Sequence, residues 1–192
     1  MWRIVLMFWI VLSACSSQAP AGFSNTDITG SAIGQSLAGL RDANGNERRI
    51  AEFNGRAVVV FFGYTSCPDV CPTTLSRLAS VLTELGPDAE RVQVILISVD
   101  PEHDTPERLG SYVAAFHPSF IGLGGDLPAT EAVARAFKVF FAKGDGGHHA
   151  GMIDHSTGAY VFDPGGRIRL FVKDDASVAS VAGDLRKLLA EK

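Results

Sequence analysis

The chain has 192 residues, 46% of them hydrophobic, with 17 Lys and Arg against 21 Asp and Glu, a formal charge of −4. That length suits one domain with a sizeable core. The acidic balance, with no basic tract along the chain, argues against a nucleic-acid partner.

Arg3 provides a minimal charged start, residues 4–12 an apolar run, and Ser13 and Ala14 are small residues ahead of Cys15. This is the order of an export signal, and the run is too short to span a bilayer as a mature helix. Leu12-Ser13-Ala14-Cys15 also resembles a bacterial lipobox. It predicts a lipoprotein signal peptide over residues 1–14, with Cys15 as the acylated first residue; a short uncleaved membrane anchor is the alternative. Either way the domain is expected in the cell envelope, held to a membrane and facing the periplasm or exterior. Loss of Arg3 leaves 16 basic against 21 acidic residues, a charge near −5. With Cys15 given to the lipid, Cys67 and Cys71 remain, in a compartment where disulfides persist.

Residues 15–30 are rich in Ser, Ala, Gly, Asn and Pro and read as a flexible tether, leaving a domain over residues 31–192. Asn44-Gly45 is a two-residue turn signal between 36–43 and 46–53, which predicts an N-terminal β-hairpin. Residues 57–62 are apolar without interruption and suit a central strand covered on both faces. Leu75, Leu78, Leu82 and Leu85 recur at helical spacing, and Pro72 fits a first helical position, so a helix is expected over 72–85. Residues 92–99 read as a second buried strand. Thr105-Pro106-Glu107 opens a helix whose apolar face is Leu109, Val113 and Phe116, and a third helix is expected over 128–137. Asp163-Pro164-Gly165-Gly166 is a turn cluster between 159–162 and 167–172, a second hairpin. A last helix over 177–190 buries Val178, Val181, Leu185 and Leu188. Hairpin, βαβ, extra helices and ββα together give an α/β fold, a mixed sheet flanked by helices on both faces.

Cys67-Pro68-Asp69-Val70-Cys71-Pro72 falls between a buried strand and a helix start, where an α/β sheet presents its reactive loops. Helix amides and the positive end of the helix dipole are expected to lower the pKa of Cys71 and of Cys67. A spacing of four brings two sulfurs together if the loop is helical, so the pair can close a disulfide or pinch one ion. An inert structural disulfide remains an alternative, although closing so short a loop contributes only about 2 kcal/mol. Two thiolates are soft donors suited to Cu(I), with zinc the main competitor, and are too few for a closed zinc site. A third ligand is then expected from a histidine on a distant loop. His103 precedes a helix start and His117 ends a helix, and both read as surface caps. His148 and His149 lie in the glycine-rich loop 144–151 and read as solvated or as a weak metal contact. His155, in Asp154-His155-Ser156 before a strand, can reach the edge of the sheet that carries the cysteines, but the residues alone leave it open against an ordinary loop histidine.

Three motifs in order resemble one family. They are Phe61-Phe62-Gly63-Tyr64-Thr65-Ser66-Cys67-Pro68-Asp69-Val70-Cys71-Pro72, then Ile97-Ser98-Val99-Asp100-Pro101 with Asp104-Thr105-Pro106, then Asp154-His155-Ser156. The chain is similar to the Sco/SenC family from about residue 34 to residue 189. The resemblance implies a thioredoxin-like fold and copper, as Cu(I) or Cu(II), held by Cys67, Cys71 and His155. It implies a role in assembling the dinuclear copper (CuA) centre of cytochrome c oxidase, as a copper chaperone, as a thiol reductant for the target cysteines, or both. The implied partner is the copper-site subunit of the oxidase, with another copper chaperone or a thiol reductase as further candidates. Asp69 matches the family pattern and also reads as a helix cap. Many relatives keep a transmembrane anchor where this chain carries Cys15, and Ser16 is not the usual signal for inner-membrane retention. The alternative function is a thiol-disulfide oxidoreductase, in which one thiolate attacks a partner disulfide and the other resolves it. Against it, three residues separate the cysteines where redox thioredoxins have two, and His155 would have no required part.

Overall fold

A computed structural model of the protein describes residues 22–34, 36–144 and 152–191. The signal peptide expected over residues 1–14, Cys15, His148 and His149 lie outside the described residues. In chain order the strands and helices are β1 (Thr26–Asp27), β2 (Ala57–Gly63), α1 (Val70–Leu85), β3 (Val92–Ser98), α2 (Pro106–Ala114), β4 (Ile121–Leu123), α3 (Leu127–Phe137), β5 (Phe141–Lys143), β6 (Ile153–His155), β7 (Ala159–Phe162), β8 (Ile168–Val172) and α4 (Val178–Ala190). Six strands form one mixed sheet in the order β1-β8-β7-β2-β3-β4, and β5 pairs with β6 apart from it. β2, β3 and β4 run parallel, while β7, β8 and β1 add antiparallel edges.

Every residue of β2 and β3 is buried, as their unbroken apolar runs require of central strands covered on both faces. Side-chain alternation divides the core into two layers. Val59, Phe61, Val94 and Leu96 meet Leu75 and Leu78 of α1, Leu109 and Val113 of α2, and Leu185 and Leu188 of α4. Val58, Val60, Phe62, Ile95 and Ile97 meet Val133 and Phe137 of α3, with Leu37 and Leu40 from the N-terminal loops. Three helices start on side-chain caps: Thr105 accepts from the Arg108 amide, Asp126 from Ala129 and Ser177 from Ser180. The 163–166 turn forms as expected, with the Asp163 carboxylate accepting from the amides of Gly165 and Arg167.

The structure departs from the sequence reading in three places. The Asn44-Gly45 turn forms, with Gly45 at φ +78°, but the expected N-terminal hairpin shrinks to a single bridge between Arg41 and Glu47. The Asp42 carboxylate takes the amides of Asn44 and Asn46, and residues 50–53 coil into a 3₁₀ turn, so local bonds replace the strand ladder. The helix after the cysteine loop begins at Val70 rather than Pro72. Pro72 still falls in the first turn, where a missing N–H costs nothing.

The third departure concerns the tether. Residues 22–30, expected to be part of it, are docked on the domain. The Ser24 and Asn25 amides donate to the buried Asp184 carboxylate at 2.9 and 2.8 Å, Thr26–Asp27 pairs with β8, and the Phe23 ring lies against Arg169 and Lys187. Composition conceals this because the partner is a carboxylate 160 residues away. Burial opposes ionisation of Asp184, but the Ser24 and Asn25 amides, the Asn25 side chain and Lys187 outweigh it and hold the carboxyl below its usual range. Its contribution to stability is therefore complete above the ordinary carboxylate pKa and is lost as pH falls through the lowered folded value. Asp184→Ala is expected to cost about 2 kcal/mol in urea unfolding at neutral pH, with the difference from wild type shrinking in acid.

Candidate metal centre

β2 ends at Gly63, the chain turns through Tyr64, Thr65 and Ser66, and α1 begins at Val70. Cys67 lies in the turn and is half-buried; Cys71, on the first turn of α1, is 1% exposed. His155 arrives from the opposite direction at the end of β6. The donor atoms of Cys67, Cys71 and His155 all lie within 4.8 Å of one another, and Cys71 Sγ is 3.8 Å from His155 Nε2. The structure thus brings together the two cysteines and the one histidine that the family resemblance implied. His103 bonds Asp100 and His117 bonds Ser119, and neither joins the group; the caps of the helix between them are Thr105 and Ala115 rather than either histidine.

Each donor is aimed by a neighbour. His155 Nδ1 lies 3.0 Å from the Ser156 carbonyl. A carbonyl only accepts, so Nδ1 carries the proton and Nε2 presents its lone pair to the sulfurs. The imidazole stands edge-on to Tyr64, with ring centroids 6.0 Å apart, and the Tyr64 hydroxyl accepts from the Ile153 amide at 3.2 Å, bracing β6. Cys67 Sγ accepts the Cys71 amide at 3.4 Å, so sulfur takes the place of a helix cap. Asp69 occupies the cap position without a side-chain bond to any helix amide, and takes the Thr73 hydroxyl instead.

The expectation of a lowered Cys71 pKa is overturned. Burial pushes the Cys71 thiol well above its ordinary range, and the neighbouring Cys67 and the negative charge of Asp104 add to the effect against an opposing contact with the Tyr64 backbone. One buried turn of helix cannot offset the loss of water around a thiolate. The metal-free protein therefore keeps Cys71 protonated and releases that proton when a cation binds. Metal affinity is expected to rise by at least about tenfold per pH unit near neutrality, the factor due to the Cys71 proton alone, as a competition titration at two pH values would show.

Gly63, Tyr64 and Asp104 were not legible as parts of the site. A Cβ on Gly63 would lie 2.6 Å from Cys71 Sγ and 3.2 Å from Leu96 Cδ1, so the strand must end in glycine for the sulfur to seat. Gly63→Ala is expected to displace that sulfur, lowering metal affinity by about tenfold or more and stability by about 1–3 kcal/mol, read by competition titration and thermal melting. The Asp104 carboxylate, 2% exposed, accepts the Thr65 amide at 3.0 Å, the Thr65 hydroxyl and the Ser98 hydroxyl at 2.8 Å. It thereby ties the cysteine turn to the exit of β3.

Two thiol sulfurs and one imidazole nitrogen are soft and borderline donors, one short of a closed zinc set, and fit Cu(I) in low coordination. Cys67 and His155 form the accessible side of the group, and Cys71 forms its floor.

A family model described as SCO1/SenC matches residues 29–190. The bovine "Protein SCO2 homolog, mitochondrial" is 31% identical over 185 residues, covering 95% of this chain and 70% of that protein. A SCO2-like protein of Rickettsia felis is 38% identical over 130 residues, covering 67% of this chain and 63% of its own length. Among solved structures, Bradyrhizobium japonicum ScoI with copper bound superposes with a TM-score of 0.70 at 36% identity, covering 78% of this chain and 95% of that one. The apo Sco1 protein of Thermus thermophilus gives a TM-score of 0.70 at 41% identity, covering 78% and 88%.

Proposed function

Because this chain belongs to the SCO1/SenC family, we propose that it is a copper metallochaperone for the CuA centre of cytochrome c oxidase. The observation that carries the reading is the convergence of Cys67, Cys71 and His155 donor atoms within 4.8 Å. A relative of known structure holds copper, and the family resemblance supplies the recipient, the copper-site subunit of the oxidase. Copper is cargo here, so the site must let go of it. Cys67 and His155 are half-buried and open to an approaching thiolate, whereas Cys71 is enclosed; ligand exchange begins at the two accessible donors and ends at Cys71. We assign the anchor to an acylated Cys15, on the strength of the Leu12-Ser13-Ala14-Cys15 motif, and with it a place in the cell envelope.

The test mixes reduced, copper-loaded protein with the reduced, copper-free CuA domain of an oxidase and follows the CuA absorption after oxidation. Copper should move to the target. A carrier that holds copper and passes none to the target would contradict the reading.

The half-exposed Cys67 sulfur also favours a second role. Cys67 attacks a disulfide of the target, and Cys71 then displaces the mixed disulfide and gives up its proton. The target gains two thiols while Cys67 and Cys71 become a disulfide, which an external thiol reductase must reduce. His155→Ala should leave this exchange intact; its loss together with copper binding would remove the second role.

A further inference from the structure

Asp104 belongs to the site more closely than its hydrogen bonds to Thr65 alone indicate. Gly63 and Ser98 are direct neighbours in the parallel β2–β3 pairing. Gly63 shares its face of β2 with Phe61, and Ser98 shares its face of β3 with Leu96, so both point into the layer that contains α1. That is the layer where Cys71 Sγ packs over Gly63, next to Leu96 Cδ1. The Ser98 hydroxyl donates to Asp104 from this same layer at 2.8 Å. Gly63, which seats the sulfur, and Ser98, which bonds the carboxylate, are thus one strand spacing apart, and the Asp104 side chain is shut off from water. The compensating cation nearby is Arg108, half-exposed, with Nε 3.9 Å from Asp104 Oδ1 and Nη2 3.1 Å from the Ser66 hydroxyl.

We infer that Asp104 is a positioning residue whose buried negative charge biases the metal centre toward divalent over monovalent copper, an inference that rests on the copper reading above. Two thiolates cancel the charge of Cu(II) and leave Cu(I) with one negative charge in excess. A further fixed anion in a water-poor layer adds repulsion to the Cu(I) form and leaves the neutral Cu(II) form nearly unaffected, and it is screened far less than a surface charge would be. Arg108, whose side chain is wetter, offsets part of this through its contact with the carboxylate. The inference assigns Asp104 two separable effects. Its hydrogen bonds hold the turn that carries Cys67, and its charge sets the ratio of Cu(II) to Cu(I) affinity.

The experiment measures Cu(I) and Cu(II) affinities and the potential of the bound copper in wild type, Asp104→Asn, Arg108→Gln and Thr65→Val. Asp104→Asn should lower the Cu(II) to Cu(I) affinity ratio by about tenfold, raising the potential by about 59 mV. Arg108→Gln, at an exposed residue that should fold normally, should move the ratio the opposite way by a smaller factor. Thr65→Val keeps the charge and should weaken both affinities together with the potential unmoved. An unchanged ratio in Asp104→Asn, or a shift of the same sign in Arg108→Gln, would overturn the inference and leave the copper reading standing. If Asp104→Asn does not fold, the sign in Arg108→Gln decides alone. A wild type that binds no copper would overturn both.

Discussion

Replacing Cys71 by serine is expected to abolish tight copper binding, with a fall in affinity of at least about a hundredfold, beyond the ten- to hundredfold typical of residues behind a metal's ligands. A hydroxyl is a hard donor that stays protonated at neutral pH, so the site would be left with one thiolate and one imidazole. Cys71 is the substitution of choice because its sulfur is the enclosed floor of the group, with no water to take its place. The serine introduces a buried hydroxyl over Gly63 and should cost about 1–3 kcal/mol, so thermal melting of the metal-free variant separates loss of ligand from loss of fold. Oxidation of the native protein should have the same effect on copper through different chemistry. A disulfide between Cys67 and Cys71 removes both sulfur donors at once, and a dithiol reductant should restore binding.

The second large effect is expected at His155. His155→Ala should also lower copper affinity by about a hundredfold, yet leave the thiols reactive, since each sulfur keeps a contact other than the imidazole. Cys67 is held by the Cys71 amide and Cys71 by the packing over Gly63. Tyr64→Phe is the informative companion. It keeps the ring edge against His155 but strips the hydroxyl that accepts from the Ile153 amide, and should weaken copper binding by about tenfold through a looser β6. A His155→Ala protein with wild-type affinity, measured against a competing chelator, would assign the copper to the thiols alone.

The sheet and its helices were legible because β2 and β3 are unbroken apolar runs and α1 and α4 repeat leucines at helical spacing, signals that burial itself writes into the chain. The cysteine pair was legible for a local reason, its place between strand and helix. His155 was not separable from an ordinary loop histidine by spacing alone; three motifs in order singled it out, and β6 delivers it. What escaped has its cause in distant contacts. Residues 22–30 look like a tether until Asp184, on the last helix, supplies the acceptor for their amides. Asp104 looks like a residue of a loop before a helix until Thr65 and Ser98 are seen to converge on it. The sign of the Cys71 shift was misjudged because a helix start is visible in sequence and the depth of the sulfur is not.

The central claim is that one copper is bound by two sulfurs and one imidazole of this chain. X-ray absorption spectroscopy on the reduced protein loaded with one equivalent of Cu(I) tests it most directly. The spectrum should show two sulfur scatterers and one imidazole, with the imidazole contribution absent in His155→Ala. A copper with sulfur neighbours only, identical in wild type and His155→Ala, would contradict it.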